Sequence, residues 1–508
     1  MNELNIGWAS RNVSTDKPIN IPGQFYMRIS EGILDPVTVS ALVIDNSADL
    51  VIFLSTDLVV IRCGLLDEIR AKVAELNPEI PVEKILMSAT HAHTGPSHYT
   101  EFGQKVSGTT PTELPPCEPP HDGVEIASGD EYRRFLADQA AEAICEAYAK
   151  RVPGGIAYGY GYAVVAHSRR VVYFDDTAQR PGAVMNSTHG VNGHAVMYGN
   201  TNDDQFSHYE AGADHFVNLL YTFDARGKLT GALINVPGPS QNSEVEHKLS
   251  ADYWNDVRLA LRKQYGDIFI LPQCAAGGDL SPRILHYQQA QARRFKLKYG
   301  REPTEHAARK DIAERIAGAF TEVLEWAGKD IKTALPLAHV VEIVNLSRRL
   351  ITDEEYEYAK QGLAELNQQP FKTDGTPKER LDANSSLATG RNRFIDIINR
   401  YQTQKTDPKL PMELHVLRIG DIAFASNRFE LYMDFQHRLQ ARSPFAQTFI
   451  VQLAGQPGAS GGSYLCTERG AWGRGYSASM FCNLVSPQGG QELVEETVSV
   501  LKKIYTEA

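Results

Sequence analysis

Cysteine is scarce and scattered in this chain of 508 residues. The six cysteines are spread from Cys63 to Cys482, and no two of them form a Cys-x-x-Cys pair. Thiolate zinc sites need cysteines at short spacing, and disulfide scaffolds are dense in cysteine. The sequence therefore indicates neither a thiolate zinc site nor a disulfide-stabilised fold.

The chain also lacks an excess of positive charge. Lys and Arg number 51 against 62 Asp and Glu, which gives a net charge of -11. This balance argues against nucleic acid or an anionic membrane surface as the main partner, because both attract basic proteins. A small neutral or polar molecule fits better as the substrate.

Long apolar runs are missing as well. Residues 1–7 do not combine a basic segment with an apolar stretch, and no later run approaches the roughly 20 apolar residues of a membrane span. We therefore expect a cytoplasmic protein that does not insert into membranes. The sequence does not indicate an oligomeric state.

What the chain does contain is a mixture of strand-like and helix-like segments. Apolar runs flank turn residues at 46–49 and 224–228 in the manner of β-hairpins, and helical periodicity runs over 65–76 and 304–326. At 42% hydrophobic residues the chain can bury a large core. We predict an α/β fold of mixed β-sheets flanked by helices, in a single domain over residues 1–508.

Three long polar segments interrupt these elements. Residues 99–127 are rich in Pro, Thr, Gly and Ser, and we expect either a lid over a site or a solvated insertion. Residues 185–215 are rich in Gly, Asn and His and are predicted to line a site. Residues 367–386 contain Pro, Gly and Lys and are predicted to form a linker or surface excursion.

The first concentration of chemically active side chains follows the apolar run that begins at Ile85. Residues 91–96 read His-Ala-His-Thr-Gly-Pro. Residues two apart in extended backbone point the same way, so His91 and His93 are predicted to face one cavity. The pair would suit a metal, or one metal ligand beside one substrate contact. The alternative is two histidines satisfied by ordinary hydrogen bonds.

A second loop has a similar design. A short apolar strand at 268–271 leads into residues 277–282, which read Gly-Gly-Asp-Leu-Ser-Pro. The glycines allow a close approach of backbone, and Asp279 and Ser281 are presented together. The functional interpretation is a serine directed into a cleft. The alternative is a simple turn in which Asp279 bonds its own backbone.

These motifs and three others resemble, in order, those of the neutral/alkaline ceramidase family over nearly the whole chain. The first turn is similar to the family's His-Thr-His-Ser-Gly-Pro, and Gly-Asp-Leu-Ser-Pro looks like its serine motif. The other three are Ser-Ala-Asp-Tyr at 250–253, the hairpin at 413–421 with Glu430, and Ser-Tyr-Leu-Cys-Thr at 463–467 with Tyr476. The resemblance implies the α/β catalytic domain of that family and a zinc-assisted hydrolysis of an amide.

The resemblance also implies roles for single residues. The implied zinc ligands are His91, Glu430 and Tyr464. The implied catalytic residues are Ser281, Asp279, Arg169 and His93. Among them Ser281 would be the nucleophile or an oxyanion partner, with Asp279 orienting it, while Arg169 and His93 would hold the substrate. Further candidates for substrate binding are Gln241, Tyr476 and His215.

One family ligand has no counterpart. The second zinc histidine would fall in residues 235–241, which read Asn-Val-Pro-Gly-Pro-Ser-Gln. Ser240 or Gln241 could replace it through oxygen, or His247 or a histidine within 189–215 could reach in. The loss of one imidazole ligand should weaken zinc binding, so the protein would bind zinc poorly, bind another metal or bind none.

Three functions remain open from the sequence. The leading hypothesis is a ceramidase-like hydrolase that cleaves an amide or related bond in a small polar substrate rather than ceramide. We expect the carboxy-terminal immunoglobulin-like domain of the family to be missing, and the polar loops suit a hydrophilic ligand. The alternatives are a glycosidase-like enzyme and a metal-free binding protein. Carboxyl candidates for a glycosidase are Asp203, Asp204, Glu210, Asp214, Asp279 and Glu430.

Overall fold

The computed structural model describes residues 2–100, 114, 116–183, 190, 192–458 and 460–506. The strands are β1 Asn5–Asn12, β2 Asn20–Ile21, β3 Arg28–Ile29, β4 Thr38–Asp45, β5 Leu50–Thr56, β6 Ile85–Ala89, β7 Val152–Tyr162, β8 His167–Ser168, β9 Arg170–Tyr173, β10 Ala195–Met197, β11 Phe206–Tyr209, β12 Phe216–Asp224, β13 Leu229–Val236, β14 Phe269–Cys274, β15 Leu280–Ser281, β16 Leu337–Ser347, β17 Lys409–Ile419, β18 Ile422–Ser426, β19 Glu430–Leu431, β20 Gln447–Val451 and β21 Tyr464–Leu465. The helices are α1 Leu65–Leu76, α2 Gly129–Ala149, α3 Tyr253–Tyr265, α4 Gln288–Tyr299, α5 Thr304–Ala327, α6 Asp353–Asn367, α7 Pro377–Thr403, α8 Met433–Arg442, α9 Glu468–Gly473 and α10 Pro487–Thr506.

Two sheets form the framework. The larger has eight strands in the order β14-β13-β12-β7-β1-β4-β5-β6, and the smaller has four in the order β16-β17-β18-β20. Strand β4 pairs with β5 antiparallel, whereas β5 pairs with β6 and β13 with β14 in parallel. The predicted α/β fold with mixed sheets and flanking helices is therefore confirmed.

The sheets pack face to face, with helices on their outer faces. In β4 the residues Leu42 and Ile44 face the smaller sheet, while Ala41 and Val43 pack in the core under α1 and α2. This alternation is the period of two that a strand buried on both faces requires. The Phe53 ring meets Phe424 of the smaller sheet at 4.9 Å between centroids. Helices α8 and α10 cover the outer face of the smaller sheet.

The polar segments turn out differently from one another. The excursion predicted at 367–386 is a connection only in its first half, because α7 begins at Pro377 with Thr376 in a capping box. Residues 101–113 and 115 of the predicted lid lie outside the described residues.

The single-domain assignment stays a prediction. No helix among the described residues is long and apolar enough to cross a membrane.

The fold brings the ends of several strands together. The loops after β6 and β13 meet, because the His93 backbone N–H donates to the Ser240 carbonyl oxygen at 3.1 Å and Ser240 Oγ donates to the Thr90 carbonyl oxygen at 2.9 Å. The loop after β14 joins the smaller sheet, where the Gly277 backbone N–H donates to Gln452 Oε1 at 3.0 Å. Both motif loops therefore meet where the two sheets join.

Candidate active site

A cavity of about 450 Å³ opens at this junction. Its wall is formed by the loop of residues 20–27, by residues 59–63 after β5, and by one side of α7. The remaining wall residues that matter for chemistry are His91, His93, Glu430, Tyr464 and Tyr476. Both histidines therefore face one cavity, as the His-x-His spacing predicts.

The two imidazoles converge through a turn rather than along a strand. Strand β6 ends at Ala89, and His91 has a φ of 61°, in the left-handed region that non-glycine residues seldom adopt. His91 Nδ1 donates to the Val59 carbonyl oxygen at 2.6 Å. This bond fixes the tautomer, so the lone pair of Nε2 points into the site. His93 Nε2 lies 3.2 Å from His91 Nε2.

His93 occupies a tightly shaped position. A Cβ on Gly23, whose φ is +106°, would lie 2.7 Å from His93 Nδ1. That nitrogen has no hydrogen bond within the described structure, and the nearest acid is Glu244, with Oε2 at 3.5 Å. Arg283 holds the other oxygen of Glu244 at 2.5 Å. Burial, with His91 and Arg28 nearby, lowers the pKa of His93 well below its ordinary value.

Glu430 and Tyr464 are paired by the backbone. Strands β19 and β21 are parallel, and the two residues are direct partners in the register. Glu430 Oε2 lies 3.4 Å from His91 Nε2. Burial raises the pKa of Glu430, but His91 and Arg169 more than offset this and leave it below its ordinary value. Glu430 is therefore a carboxylate facing the cavity.

A glycine makes this arrangement sterically possible. A Cβ on Gly278 would lie 2.3 Å from the Glu430 carbonyl oxygen. The Gly278 N–H also donates to the Leu431 carbonyl oxygen at 2.9 Å. The loop of residues 277–282, called the serine loop below, and strand β19 can pack this closely only because position 278 has no side chain.

Arg169 connects the cavity wall to the serine loop. Its Nη2 donates to the Tyr464 hydroxyl and to the Gly278 carbonyl oxygen, both at 3.0 Å, and lies 3.8 Å from Glu430 Oε2. Its Nη1 donates to the Tyr198 hydroxyl at 3.2 Å. A buried guanidinium thus lies beside the predicted zinc ligands and beside the predicted serine.

Ser281 Oγ is surrounded by hydrogen-bond donors. Gln241 Nε2 and the Tyr198 hydroxyl each lie 3.3 Å from it, and the Arg283 backbone N–H donates to it at 3.2 Å. The residue is fully buried and lies behind the cavity wall, separated from Tyr464 by Arg169 and Tyr198. Three donors on one oxygen stabilise negative charge there.

Asp279 has different surroundings from those expected. Its Oδ1 accepts the Met433 backbone N–H at 3.0 Å, at the first turn of α8. Its Oδ2 is buried without a hydrogen-bond partner in the described structure. Burial raises the pKa of Asp279 to about 7. The carboxyl therefore contacts a helix start, and no hydrogen bond in the described structure links it to the Ser281 hydroxyl.

Comparison with known proteins gives matches at the level of structure. No family model matches the chain, and no curated protein sequence is significantly similar. The crystal structure of neutral ceramidase from Pseudomonas aeruginosa matches 99% of this chain and 75% of its own, with a TM-score of 0.64 and 17% identity. A second structure, described as ceramidase complexed with C2, matches 99% of this chain and 76% of its own, with a TM-score of 0.64 and 15% identity. The fold is that of neutral ceramidase.

Two of the predicted zinc ligands, His91 and Glu430, are spaced as two ligands of one zinc would be. Ligand atoms on a tetrahedral zinc with bonds of about 2.0–2.1 Å lie roughly 3.3–3.4 Å apart. The separation of His91 Nε2 and Glu430 Oε2, 3.4 Å, matches this value. No group of three or more His, Cys, Asp or Glu side chains in the described part of the chain could hold a metal. A site here would therefore require the Tyr464 phenol as its third donor.

In the described structure no hydrogen bond or ion pair links His91 to any of the suggested replacements for the missing zinc histidine. Ser240 Oγ donates to the Thr90 carbonyl oxygen at 2.9 Å, and the Gln241 amide is bonded to Tyr198 and Ser281. His194 stacks on Trp472 at 4.5 Å between centroids. His189 lies outside the described residues.

The predicted substrate contacts divide between the site and the surface. Tyr476 lines the cavity with its ring edge on Tyr464 at 5.6 Å, and Gln241 lies against Ser281. His215 is exposed at the start of β12 and is not among the residues that line the cavity. Its role in substrate binding stays a prediction.

Two residues of the site are not among the sequence predictions. Tyr198 joins Arg169, Gln241 and Ser281, and Glu244 faces His93. Tyr198 lies within the polar stretch 185–215 that is predicted to line a site, but that prediction rests on the Gly, Asn and His residues of the stretch. Glu244 follows Gln241 by three residues, and nothing in its local sequence distinguishes it from a surface glutamate.

Proposed function

We propose that the protein is a hydrolase that cleaves an amide or related bond in a small polar substrate. The observation that carries this proposal is the continuous hydrogen-bonded path from Gln241 through Tyr198 and Arg169 to Tyr464, with Ser281 at one end and the cavity at the other. This path links the proposed nucleophile to the Arg169 cation, which lies 3.8 Å from the cavity carboxylate Glu430.

Ser281 is proposed as the nucleophile rather than the oxyanion partner. A hydroxyl that stabilises an oxyanion must donate its hydrogen, whereas Ser281 Oγ lies within reach of three donors. These donors favour the charged oxygen, which would attack the carbonyl carbon while the C–N or C–O bond of the substrate breaks and the leaving amine or alcohol takes up the serine proton. Arg169 would stabilise the negative charge that develops on the carbonyl oxygen. His93 would contact the substrate from the cavity side.

Zinc is proposed as the metal, held by His91, Glu430 and Tyr464. When bound, it would polarise the substrate carbonyl or lower the pKa of a water molecule. The Val59 carbonyl keeps His91 in the tautomer that a metal needs. Arg169 donates to Tyr464 and would help the phenol to carry negative charge.

The cavity supports a small polar substrate rather than a long lipid. Its volume of about 450 Å³ lies at the lower end of the range for ligand sites. Its wall includes the polar side chains Asn20, Gln24, Arg62, Thr389, Asn392, Arg393 and Asp396. A hydrophilic ligand could form directional hydrogen bonds with these side chains.

The glycosidase alternative finds less support. Of its candidate carboxyls, Asp203 pairs with Arg180, Glu210 with Arg170, and Asp214 accepts from Gln436. Glu430 is the one candidate that lines the cavity among the described residues. A glycosidase needs two carboxyls facing each other across the bond that is cleaved.

The decisive experiment is turnover of matched panels of amides, esters and glycosides by wild type and Ser281→Ala. We expect product from amides or esters, and a loss of at least about 10³-fold in kcat/KM in the variant. Ser207→Ala, in β11, is the matched control and should keep wild-type activity. Unchanged turnover in Ser281→Ala would refute the assignment of the nucleophile. Binding without turnover of any panel would indicate a binding protein, and glycoside cleavage would indicate the alternative enzyme.

A further inference from the structure

His93 has an acid beside the ring nitrogen that does not face His91. Glu244 Oε2 lies 3.5 Å from His93 Nδ1, while His93 Nε2 lies 3.2 Å from His91 Nε2. Both side chains are largely buried, with 12% of the His93 side chain and 13% of the Glu244 side chain exposed. Glu244 is not among the residues that line the cavity, so its effect on a ligand there would pass through a neighbour such as His93.

One guanidinium group holds the backbones of both residues. Arg28 is fully buried, and its Nη2 donates to the His93 carbonyl oxygen at 2.6 Å. Its Nη1 donates to the Glu244 carbonyl oxygen. Because the two residues share this anchor, the loop after β6 and the segment that contains Glu244 are held at a fixed position relative to each other.

The Glu244 carboxylate also connects the His-x-His turn to the serine loop. Its Oε1 pairs with Arg283 Nη2 at 2.5 Å, and Oε2 is the oxygen nearer to His93. The Arg283 backbone N–H donates to Ser281 Oγ at 3.2 Å. The ion pair with Arg283 orients the carboxylate, so that its second oxygen can accept an N–H from His93.

The two histidines determine where the proton of His93 lies. His91 Nδ1 donates to the Val59 carbonyl oxygen, so His91 Nε2 carries a lone pair. A hydrogen bond across the 3.2 Å between the two Nε2 atoms therefore needs the His93 proton on Nε2. His93 Nδ1 then carries a lone pair too and cannot bond the Glu244 carboxylate. In agreement, the buried Nδ1 has no hydrogen-bond partner in the described structure.

The preference reverses when a ligand occupies the lone pair of His91 Nε2. The ligand can be a metal or a hydrogen-bond donor, and in either case His93 Nε2–H loses its acceptor. The proton is then more stable on Nδ1, because the Glu244 carboxylate is a charged acceptor and charge-assisted hydrogen bonds are stronger than neutral ones. His93 lines the cavity, and its Nε2 is left with a lone pair for the ligand.

We propose that Glu244 is a positioning residue that holds the proton of His93 on Nδ1 once His91 Nε2 is occupied. His93 Nε2 then accepts a hydrogen bond from an N–H or O–H group of the ligand. That this ligand is a substrate rests on the proposed hydrolase function. The pair of His93 and Glu244 thereby selects compounds that present a hydrogen-bond donor to this part of the cavity.

The position of the His93 proton can be measured by NMR of metal-free protein with ¹⁵N-labelled histidine rings, in which His93→Gln identifies the signals. We expect the proton on Nε2 in wild type. His91→Ala removes the acceptor, so the proton should move to Nδ1 with a preference of at least about tenfold. Glu244→Ala in the His91→Ala background should abolish this preference. A proton that stays on Nε2 in His91→Ala, or a preference that survives Glu244→Ala, would overturn the proposal.

The chain offers a matched control in the same segment. Glu246 also faces a histidine, with Oε1 3.4 Å from His306 Nε2, so Glu246→Ala removes an equivalent acid and should leave the His93 signals unchanged. Glu244→Asp keeps the charge but shortens the side chain. In the His91→Ala background it should give an intermediate preference for Nδ1, which keeps the proposal testable if Glu244→Ala fails to fold.

Two further measurements separate this proposal from the proposed function. Zn²⁺ added to wild type should move the His93 proton to Nδ1; a shift in His91→Ala without a shift on adding Zn²⁺ would support the role of Glu244 and count against the metal. With an amide that is turned over, Glu244→Ala should lower kcat/KM by about 10-fold to 100-fold, whereas Glu246→Ala should not. Absence of turnover would count against the hydrolase and leave the NMR result standing.

Discussion

The molecule contains two clusters of two histidines, a glutamate and an arginine. The cavity cluster consists of His91, His93, Glu430 and Arg169, and the β16–β17 cluster consists of His339, His415, Glu413 and Arg70. In the β16–β17 cluster every ring nitrogen has a partner. His339 bonds the Leu50 carbonyl and His415, and His415 bonds Glu413 at 2.9 Å.

The hydrogen-bonding groups of the cavity cluster are less completely paired. His93 Nδ1 has no hydrogen bond in the described structure, and the nitrogens of the two imidazoles face each other at 3.2 Å. The β16–β17 cluster is a closed chain between strands, whereas the cavity cluster has atoms left over for a ligand. Residue types alone therefore do not mark a functional site, and unmet hydrogen-bonding capacity beside a cavity does.

The largest expected effect comes from breaking the cavity cluster. His91→Ala should lower kcat/KM by about 10³-fold or more, because it removes a proposed metal ligand and an imidazole of the site. Bound zinc, measured by elemental analysis of protein purified without chelator, should fall in parallel. The free energy of unfolding of the metal-free protein should change by less than about 2 kcal/mol, since the ring faces a cavity.

The control for His91→Ala is another histidine. His437 lies on α8 and does not line the cavity, so His437→Ala should preserve both the activity and the amount of bound zinc. Full activity of His91→Ala would show that the cavity cluster resembles the β16–β17 cluster in being structural.

The next largest effect comes from the backbone that supports the cavity cluster. Gly278→Ala places a Cβ 2.3 Å from the Glu430 carbonyl oxygen, so strand β19 or the serine loop must move. We expect a loss of about 10²-fold in kcat/KM and about 2–3 kcal/mol in the free energy of unfolding. Gly212→Ala is the matched control, because nothing lies within 4 Å of its added Cβ. Equal behaviour of the two variants would mean that the close approach is unimportant.

The β16–β17 cluster should respond in the opposite way. His415→Ala leaves His339 and Glu413 without a partner and opens a cavity, so it should cost about 2–4 kcal/mol of unfolding free energy. The measurement is denaturant unfolding followed by circular dichroism. The activity of the folded fraction should stay within about twofold of wild type, because the cluster does not contact the cavity. A selective loss of activity would contradict the distinction between the clusters.

The sequence predicted the parts of the site that local patterns determine. The His-x-His turn and the strand that delivers it were predictable, because an apolar run stops at a Gly-Pro turn. The convergence of His91 and His93 was predicted for the wrong reason, since it arises from a left-handed residue and not from an extended strand. Glu244, Arg62 and Tyr198 could not be predicted, because long-range folding alone brings them to the cavity or to Ser281.

The smallest effect on activity is expected for Asp279→Asn. This variant tests whether Asp279 orients Ser281, as the family resemblance implies, or only accepts a hydrogen bond at the start of α8. Asparagine retains an oxygen that can accept the Met433 N–H, so kcat/KM should stay within about threefold of wild type. A loss of about 10²-fold or more would instead restore the predicted role of Asp279 in orienting Ser281.

The same variant should change how stability depends on pH. Burial raises the pKa of Asp279 to about 7, whereas the unfolded value is about 4. The folded state then binds more protons than the unfolded state between these values, so this carboxyl makes stability fall as pH rises from about 4 to about 7. Its contribution has a slope of at most about 1.4 kcal/mol per pH unit. Asp279→Asn should remove that contribution, which unfolding measured at pH 5 and pH 8 would detect. An identical pH dependence in wild type and variant would show that the carboxyl titrates normally, and hence that water or a ligand reaches its unpaired oxygen.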